Sequence, residues 1–191
     1  DGGVSGGVGT YIQVIQPGAA VNSFFVCRQA YGTDGKPLEN RYLSLVGDTV
    51  LTGCSNNQRR PYHNPLPKWQ LGHTSRFTYH NLDLGFTLRA YLGNYVYNNV
   101  ASNLGTYAEV TRGSPYNLHT SVLTTGFTAP QYLSDYYVEK ASFLRMDNIT
   151  VGYNFTMRGS PWRAYATVQN AFTITGYSGV DPTALLGGID N

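Results

Sequence analysis

Cysteine and histidine are the residue types in this chain that most often bind metals or carry redox chemistry. Cys27 and Cys54 do not form a CxxC pair, which argues against a thiolate metal site. In an oxidising compartment they could form one disulfide, and two unpaired thiols are an equally good alternative. The histidines lack HxxxH or similar ligand spacing, so we expect structural roles and no bound metal for His63, His73, His80 and His119.

The sequence offers no recognisable set of catalytic groups. There is no nucleophile–base motif and no pair of carboxylates, and Asp135, Glu139 and Asp147 are expected to be solvated. The glycine-rich stretch at residues 2–9 is not followed by Gly-Lys-Ser/Thr, so we do not interpret it as a phosphate loop. We therefore expect no catalytic residues, no cofactor and no enzymatic activity.

Arginine and tyrosine side chains are the best candidates for contacting a ligand. Guanidinium groups donate several hydrogen bonds, and tyrosine rings offer flat apolar faces. The alternative, which we favour, is that the tyrosines pack a loop and that the arginines are paired charges on a wall. The candidates are Arg76, Arg89, Tyr95, Tyr97, Tyr107 and Tyr116.

The charge content limits the classes of partner and environment. Only 13% of the 191 residues are Asp, Glu, Lys or Arg, against about 25% in a typical soluble domain. The net charge is +2 and no cluster of Lys and Arg is present, so we expect no nucleic-acid partner. Abundant Tyr, Thr, Asn and Gly favour strands and turns over helices, and no apolar run approaches the length of a membrane-spanning helix.

Residues 69–92 must position the two arginines, and their pattern predicts a long β-hairpin. Apolar and polar residues alternate over eleven positions on each side of a turn at His80-Asn81, where we expect Asn81 to adopt a positive φ. In the register that this turn fixes, Trp69 faces Leu92 on an apolar side, and Arg76 lies diagonal to Asp83 on a polar side. An eleven-residue arm spans about 33 Å, or about 25 Å when tilted, which is the height of the apolar band of an outer-membrane barrel.

A second hairpin is predicted at residues 143–170. Ile149, Val151, Tyr153 and Phe155 alternate with small polar residues, and a turn at residues 156–162 leads into a second alternating stretch. About fifty residues between the hairpins lack sustained alternation, which is typical of a long extracellular loop on a barrel. In the N-terminal third, residues 23–31 read as a strand and residues 32–40 as a turn.

Four or five such strands cannot close into a barrel, because the smallest membrane barrels have about eight. An open edge in lipid would leave backbone groups without hydrogen-bond partners. We therefore interpret the chain as a piece of a larger all-β, antiparallel transmembrane barrel.

Several short stretches, in this order along the chain, resemble the SusC/RagA family of TonB-dependent outer-membrane transporters of Bacteroidetes. The resemblance covers roughly residues 10–191, and "FLRMDNITVGYNF" followed by "ATVQN" and "GIDN" is its most specific part. The other stretches are "GKPLE", "PKWQLG", "NLDLGFTLR", "GNYVYNN" and "YSGVDP". Many members carry an acidic stretch after "GKP" of which only Gly47-Asp48 survives here, so no cation site is carried over.

The resemblance implies a barrel of about 22 strands with a plug domain, which we expect to be absent from this chain. It also implies active import of a large nutrient, an oligosaccharide or an oligopeptide, across the outer membrane of a Gram-negative bacterium. The implied partners are a SusD-like surface lipoprotein, outer-membrane lipid and, through N-terminal regions not in this chain, the TonB complex. Residues 1–191 would form part of one barrel domain, with hairpins at 69–92 and 143–170, an extracellular loop at 93–141 and a loop at 171–191.

Two other classes remain open from the residues alone. One is a soluble secreted β-sandwich, such as a carbohydrate-binding module, and the other is a surface adhesin or antigen. A sandwich would bury the apolar faces of the two hairpins against each other, whereas a barrel wall would leave them facing lipid.

Overall fold

The computed structural model describes residues 11–111, 117–182 and 188–190. The chain divides into two compact units. Unit 1 contains residues 1–66, 95–140 and 177–191, and unit 2 contains residues 67–94 and 141–176.

The described residues form mostly strands, with a few short helices. The strands are β1 (Gln13–Val14), β2 (Ser23–Val26), β3 (Arg28–Tyr31), β4 (Pro37–Leu43), β5 (Val50–Thr52), β6 (Arg60–Tyr62), β7 (Trp69–Tyr79), β8 (Leu82–Leu92), β9 (Tyr95–Asn98), β10 (Val138–Lys140), β11 (Phe143–Met157), β12 (Ser160–Thr175) and β13 (Ile189–Asp190). The α-helices are α1 (Asn99–Leu104), α2 (Ala108–Thr111) and α3 (Val122–Thr125), and single 3₁₀ turns lie at Asn56–Gln58 and Asp135–Tyr137. Among the described residues, no helix is long and apolar enough to cross a membrane.

Unit 2 is one antiparallel sheet in the order β12-β11-β8-β7. The register of its first hairpin is the predicted one, with Trp69 opposite Leu92 and Tyr79 opposite Leu82. The turn differs in detail, because His80 rather than Asn81 has the positive φ. The expectation that Asn81 would take this conformation is therefore wrong, although the length of the turn is correct.

The second hairpin is longer than predicted at one end and tighter at its turn. Its turn is Arg158-Gly159, with φ of 52° and 79°, which is typical of a two-residue type I′ hairpin. Pro161 and Trp162 already belong to β12 rather than to the turn. β12 continues to Thr175, so residues 171–175 form strand where the sequence predicts loop.

A β-bulge at Asp147 explains why the end of this hairpin escapes the sequence pattern. Met146 is paired with Leu88 and Asn148 with Thr87, so Asp147 is one extra residue on β11. The register with β12 shifts at the same level, beside Asn170, which has a positive φ. An extra residue reverses which alternate positions face each side of the sheet. The apolar side therefore passes from Met146 to Ile149.

Within the part of the chain that the structure describes, the apolar side of this sheet is left uncovered. Trp69 and Tyr79 are 68% and 74% exposed, and Leu71, Phe77, Val151, Val168 and Ile174 are also exposed. Soluble proteins rarely expose contiguous apolar patches of more than a few hundred Å². The polar exceptions on this side, His73 and Ser75, are hydrogen-bonded to each other, with 2.7 Å between Nε2 and Oγ. Such pairing removes much of the cost of placing two polar groups in lipid.

Unit 1 contains three small sheets, in the orders β1-β2-β6, β3-β4-β5 and β10-β9-β13, and a buried core of its own. Its core is rich in tyrosine and aliphatic side chains, and its fully buried members include Ile12, Phe24, Val26 and Tyr97. The predicted strand at residues 23–31 is present but divided into β2 and β3, and residues 37–40 are strand rather than turn.

A disulfide between Cys27 and Cys54 joins two segments of unit 1, with the two Cα atoms 5.9 Å apart. The disulfide decides between the two alternatives that the sequence left open for these cysteines.

In the same unit, Gly188 precedes β13, which pairs in parallel with β9. Gly188 has a φ of 75°, and a Cβ at this position would overlap Pro65 and crowd Phe24, so glycine is required there.

Candidate functional site

The polar side of the unit 2 sheet is a band of small and hydroxyl-bearing residues. Thr74 and Thr87 hydrogen-bond across β7 and β8 with 3.2 Å between their hydroxyl oxygens, and Thr150 and Thr167 do so across β11 and β12 at 2.8 Å. These residues line a concavity of about 480 Å³, together with Arg76, Asp83 and Arg163. The band can contact water or a polar ligand without leaving its own hydroxyl groups unpaired.

An ion pair crosses this band over a glycine. Arg163 on β12 donates from Nη2 to Asp83 Oδ1 at 2.6 Å and from Nε to Asp83 Oδ2 at 3.2 Å. Asp83 lies on β8, and β11 runs between the two strands, with Gly152 opposite Asp83. A Cβ at Gly152 would lie 2.5 Å from both an Arg163 nitrogen and an Asp83 oxygen. The missing side chain at Gly152 therefore makes room for a two-point guanidinium–carboxylate contact.

The arginines predicted from the sequence have different surroundings. Arg89 donates to Asp147, the bulge residue, at 3.0 Å, so it is a paired wall charge as the favoured interpretation held. The direct contact expected between Arg76 and Asp83 is not found among the described residues, and the Asp83 carboxylate binds Arg163 instead. Among the described residues, no hydrogen bond or ion pair of Arg76 is found. Arg76 is thus the candidate whose guanidinium remains available on the polar side.

The predicted tyrosines lie in unit 1 and do not form one cluster. Tyr97 is fully buried, and its hydroxyl oxygen accepts a hydrogen bond from the Leu133 amide at 3.3 Å. Burial raises the pKa of Tyr97 to about 12, so the phenol stays neutral and acts as a core residue. Tyr95 stacks on His63, with ring centroids 3.7 Å apart. Tyr107 is exposed, and Tyr116 lies outside the described residues.

Unit 1 contains a concavity that reasoning from the sequence missed. It has a volume of about 300 Å³ and is lined by residues of β3, β4, β6 and the 3₁₀ turn at 135–137, chiefly Arg28, Tyr31, Leu43, Arg60, Tyr62 and Asp135. Asp135 accepts from Arg60 at 3.1 Å and from the Gln29 amide at 2.8 Å. Burial raises the pKa of Asp135 above its usual value, although Arg60 and the Gln29 amide oppose the shift. The expectation that Asp135 is solvated is therefore wrong. Its partners Gln29 and Arg60 are far from it in the chain, so no local sequence pattern could have indicated these contacts.

Two curated relatives match nearly the whole chain. The chain is 37% identical to "TonB-dependent receptor SusC" of Bacteroides thetaiotaomicron over 190 residues, which cover 94% of this chain and 19% of that protein. It is 26% identical to "TonB-dependent receptor P3" of Formosa agariphila over 195 residues, covering 90% of this chain and 19% of that protein. No protein-family model matches the chain.

Solved structures agree with these relatives at the level of the fold. The chain matches a chain of "Structure of the RagAB peptide transporter" with a TM-score of 0.73 and 17% identity, covering 94% of this chain and 23% of that one. A structure of the RagAB peptide importer in the "open-open" state matches with a TM-score of 0.68 and 19% identity, covering 94% and 22%.

The chain belongs to the SusC/RagA family. It spans about a fifth of the length of the relatives that it matches. Members of the SusC/RagA family are outer-membrane proteins of Gram-negative Bacteroidetes, so the chain belongs to the outer membrane. Its four-stranded sheet is part of a larger β-barrel. The uncovered apolar side of unit 2 is therefore the side of the barrel wall that faces lipid.

Proposed function

We propose that the chain is a portion of the barrel of a TonB-dependent transporter that imports a large nutrient, an oligosaccharide or an oligopeptide. The observation that carries this proposal is the 37% identity to a TonB-dependent receptor over 94% of the chain. The exposed apolar side of unit 2 supports it, because such a surface needs lipid around it.

The role of this portion is that of a wall. The apolar side of the unit 2 sheet holds the barrel in lipid, and the polar side lines a water-filled lumen. Arg76 on the polar side is a candidate contact for substrate. Tyr107 is the exposed tyrosine among the described candidates in unit 1, and it offers a second candidate contact. Residues 93–141 are proposed to lie outside the cell.

The full protein is proposed to act with two partners. A SusD-like surface lipoprotein would cover the barrel from outside, and the TonB complex would supply the energy for import. The similar solved structures are those of RagAB, a peptide transporter. The named relatives are receptors and transporters, which supports the proposal that this protein is not an enzyme.

A deletion strain tests import directly. The parent strain, the deletion strain and a strain complemented with the full-length gene are grown on purified neutral glycans, acidic glycans and peptide digests as sole carbon sources. We expect the deletion strain to lose growth on at least one of them and the complemented strain to regain it. A complementing gene that lacks the TonB-contacting segment serves as the control and should not restore growth. Equal growth of parent and deletion strains on every nutrient would contradict the proposal.

The soluble β-sandwich is not supported by any observation on the described residues. It would require the apolar sides of the two hairpins to be buried against each other. Instead, both hairpins lie in one sheet through the pairing of β8 with β11, and their shared apolar side is uncovered.

A further inference from the structure

The concavity of unit 1 lined by Arg28, Tyr31, Leu43, Arg60, Tyr62 and Asp135, here called the Tyr31 cavity, combines two features that the proposed transport role does not use. It has two tyrosine rings, and it has two arginines whose charges are already matched. Neither feature is needed to build the core, because Tyr31 is 52% exposed and the Arg60 side chain is 36% exposed.

Each arginine of the cavity is paired with a carboxylate, although Asp48, the partner of Arg28, lies outside the lining. Arg60 is paired with Asp135 at 3.1 Å, and Arg28 is paired with Asp48 at 3.1 Å. Because each guanidinium already has a carboxylate partner, neither arginine presents an unpaired positive charge to a carboxylate, a sulfate or a peptide terminus. Each pair still has hydrogen-bonding capacity, since a guanidinium has five donors and a carboxylate has about four acceptor sites. A neutral ligand with many hydroxyl groups can use both kinds of group.

The rings of the cavity favour a ligand with flat apolar faces. The Arg60 guanidinium lies 4.7 Å from the centre of the Tyr62 ring and so holds that ring on one side. Tyr31 is the more exposed ring, and burial together with the nearby Asp135 raises the pKa of its phenol to about 12. Its hydroxyl therefore keeps its proton at physiological pH and can donate to an acceptor while the ring face stacks.

The frame of the cavity is fixed before any ligand arrives. Gln29 is almost fully buried; its side-chain nitrogen donates to the Leu38 and Arg41 carbonyl oxygens, and its side-chain oxygen accepts from Ser134. The disulfide of Cys27 lies next to Arg28, and the Asp135 amide donates to the Cys27 carbonyl oxygen at 2.9 Å. A site whose groups are already held in place loses less entropy on binding.

We propose that the Tyr31 cavity is a subsite for one sugar unit of a neutral oligosaccharide. Its volume of about 300 Å³ is at the lower end of the roughly 300–1,000 Å³ of small-molecule sites, which fits one ring of a chain whose other units lie outside. The proposal rests on the proposed import function, of which it selects the neutral saccharide over the peptide.

Binding to the full-length transporter, purified in detergent, tests the subsite. Calorimetry is carried out with linear hexasaccharides of glucose, xylose and mannose, with hexagalacturonate, and with a pool of decapeptides. We expect at least one neutral hexasaccharide to bind and Tyr31→Ala to weaken that binding by roughly tenfold or more. Tyr31→Phe keeps the ring and should lose less affinity than Tyr31→Ala.

Tyr11→Ala is the matched control, because Tyr11 is a partly exposed tyrosine of the same unit that does not line the cavity. It should stay within about twofold of the wild-type affinity, well below the effect of truncating a central contact. The proposal is overturned if no neutral hexasaccharide binds, if Tyr31→Ala binds like the wild type, or if only peptide or hexagalacturonate binding responds to the change.

The growth of the deletion strain does not depend on this result. If the subsite proposal fails, the import proposal still stands; if the import proposal fails, the deletion strain grows like the parent.

Discussion

The two units of this chain use apolar side chains in opposite ways. In unit 1, Phe24, Val26 and Tyr97 are fully buried among other side chains. In unit 2, Trp69, Phe77 and Val151 point out of a single sheet and remain exposed. A similar residue composition therefore serves a protein core in one unit and a lipid-facing surface in the other, and only the pattern along the chain separates the two uses.

The largest expected difference between the units comes from removing a phenyl ring. Phe24→Ala leaves a cavity in the core of unit 1 and should lower the stability by about 3–5 kcal/mol. Phe77→Ala should cost only about 1–2 kcal/mol, because lipid or detergent chains fill the space and only the transfer free energy is lost. The urea dependence of proteolysis of the full-length protein measures both, and equal losses would remove the distinction between core and lipid-facing surface.

A charge on the lipid-facing side gives the next largest effect. Val151→Arg should lower the stability of the membrane-inserted protein by about 2–4 kcal/mol, because a guanidinium near the middle of a bilayer loses its hydration. Thr150→Arg, on the adjacent polar position, is the control and should cost clearly less. The fraction of protein that resists unfolding by SDS without heating reports both. If Thr150→Arg proves the more damaging change, the assignment of the two sides is reversed.

The smallest expected effect concerns the ion pair over Gly152. Gly152→Ala should push Arg163 and Asp83 apart, whereas Gly72→Ala, on the same side, meets no atom within 4 Å. We expect a lower urea midpoint for Gly152→Ala than for Gly72→Ala at low salt, and a smaller difference at 1 M salt, since salt screens exposed charges. A difference that does not depend on salt would show that the ion pair is not its cause.

The sequence predicts the part of the fold in which neighbouring residues carry the information. The hairpin at residues 69–92 follows from unbroken alternation and a two-residue turn, and its register is confirmed. The helices of unit 1 have only four to six residues, too few for a periodic pattern, so residues 95–140 could be predicted only as irregular.

The candidate site was less predictable, because its contacts join residues that are far apart in the chain. Arg163 reaches Asp83 across a strand between them, and no local pattern indicates that pairing. Arg89 was correctly assigned to the polar side, but its partner Asp147 belongs to another hairpin. The aromatic candidates failed for a different reason: tyrosine is equally suited to a core and to a surface, as buried Tyr97 and exposed Tyr107 show.

The single surplus residue at Asp147 has a consequence for comparing such chains. On either side of it, even and odd positions of β11 exchange their environments, lipid for lumen. A gap of one position in an alignment at this point would give every later residue of the strand the wrong environment, while the letters still matched well. Comparisons of substitution patterns between family members should therefore align the residues before Asp147 and those after it separately. A one-residue insertion or deletion at this point exchanges the lipid-facing and lumen-facing positions.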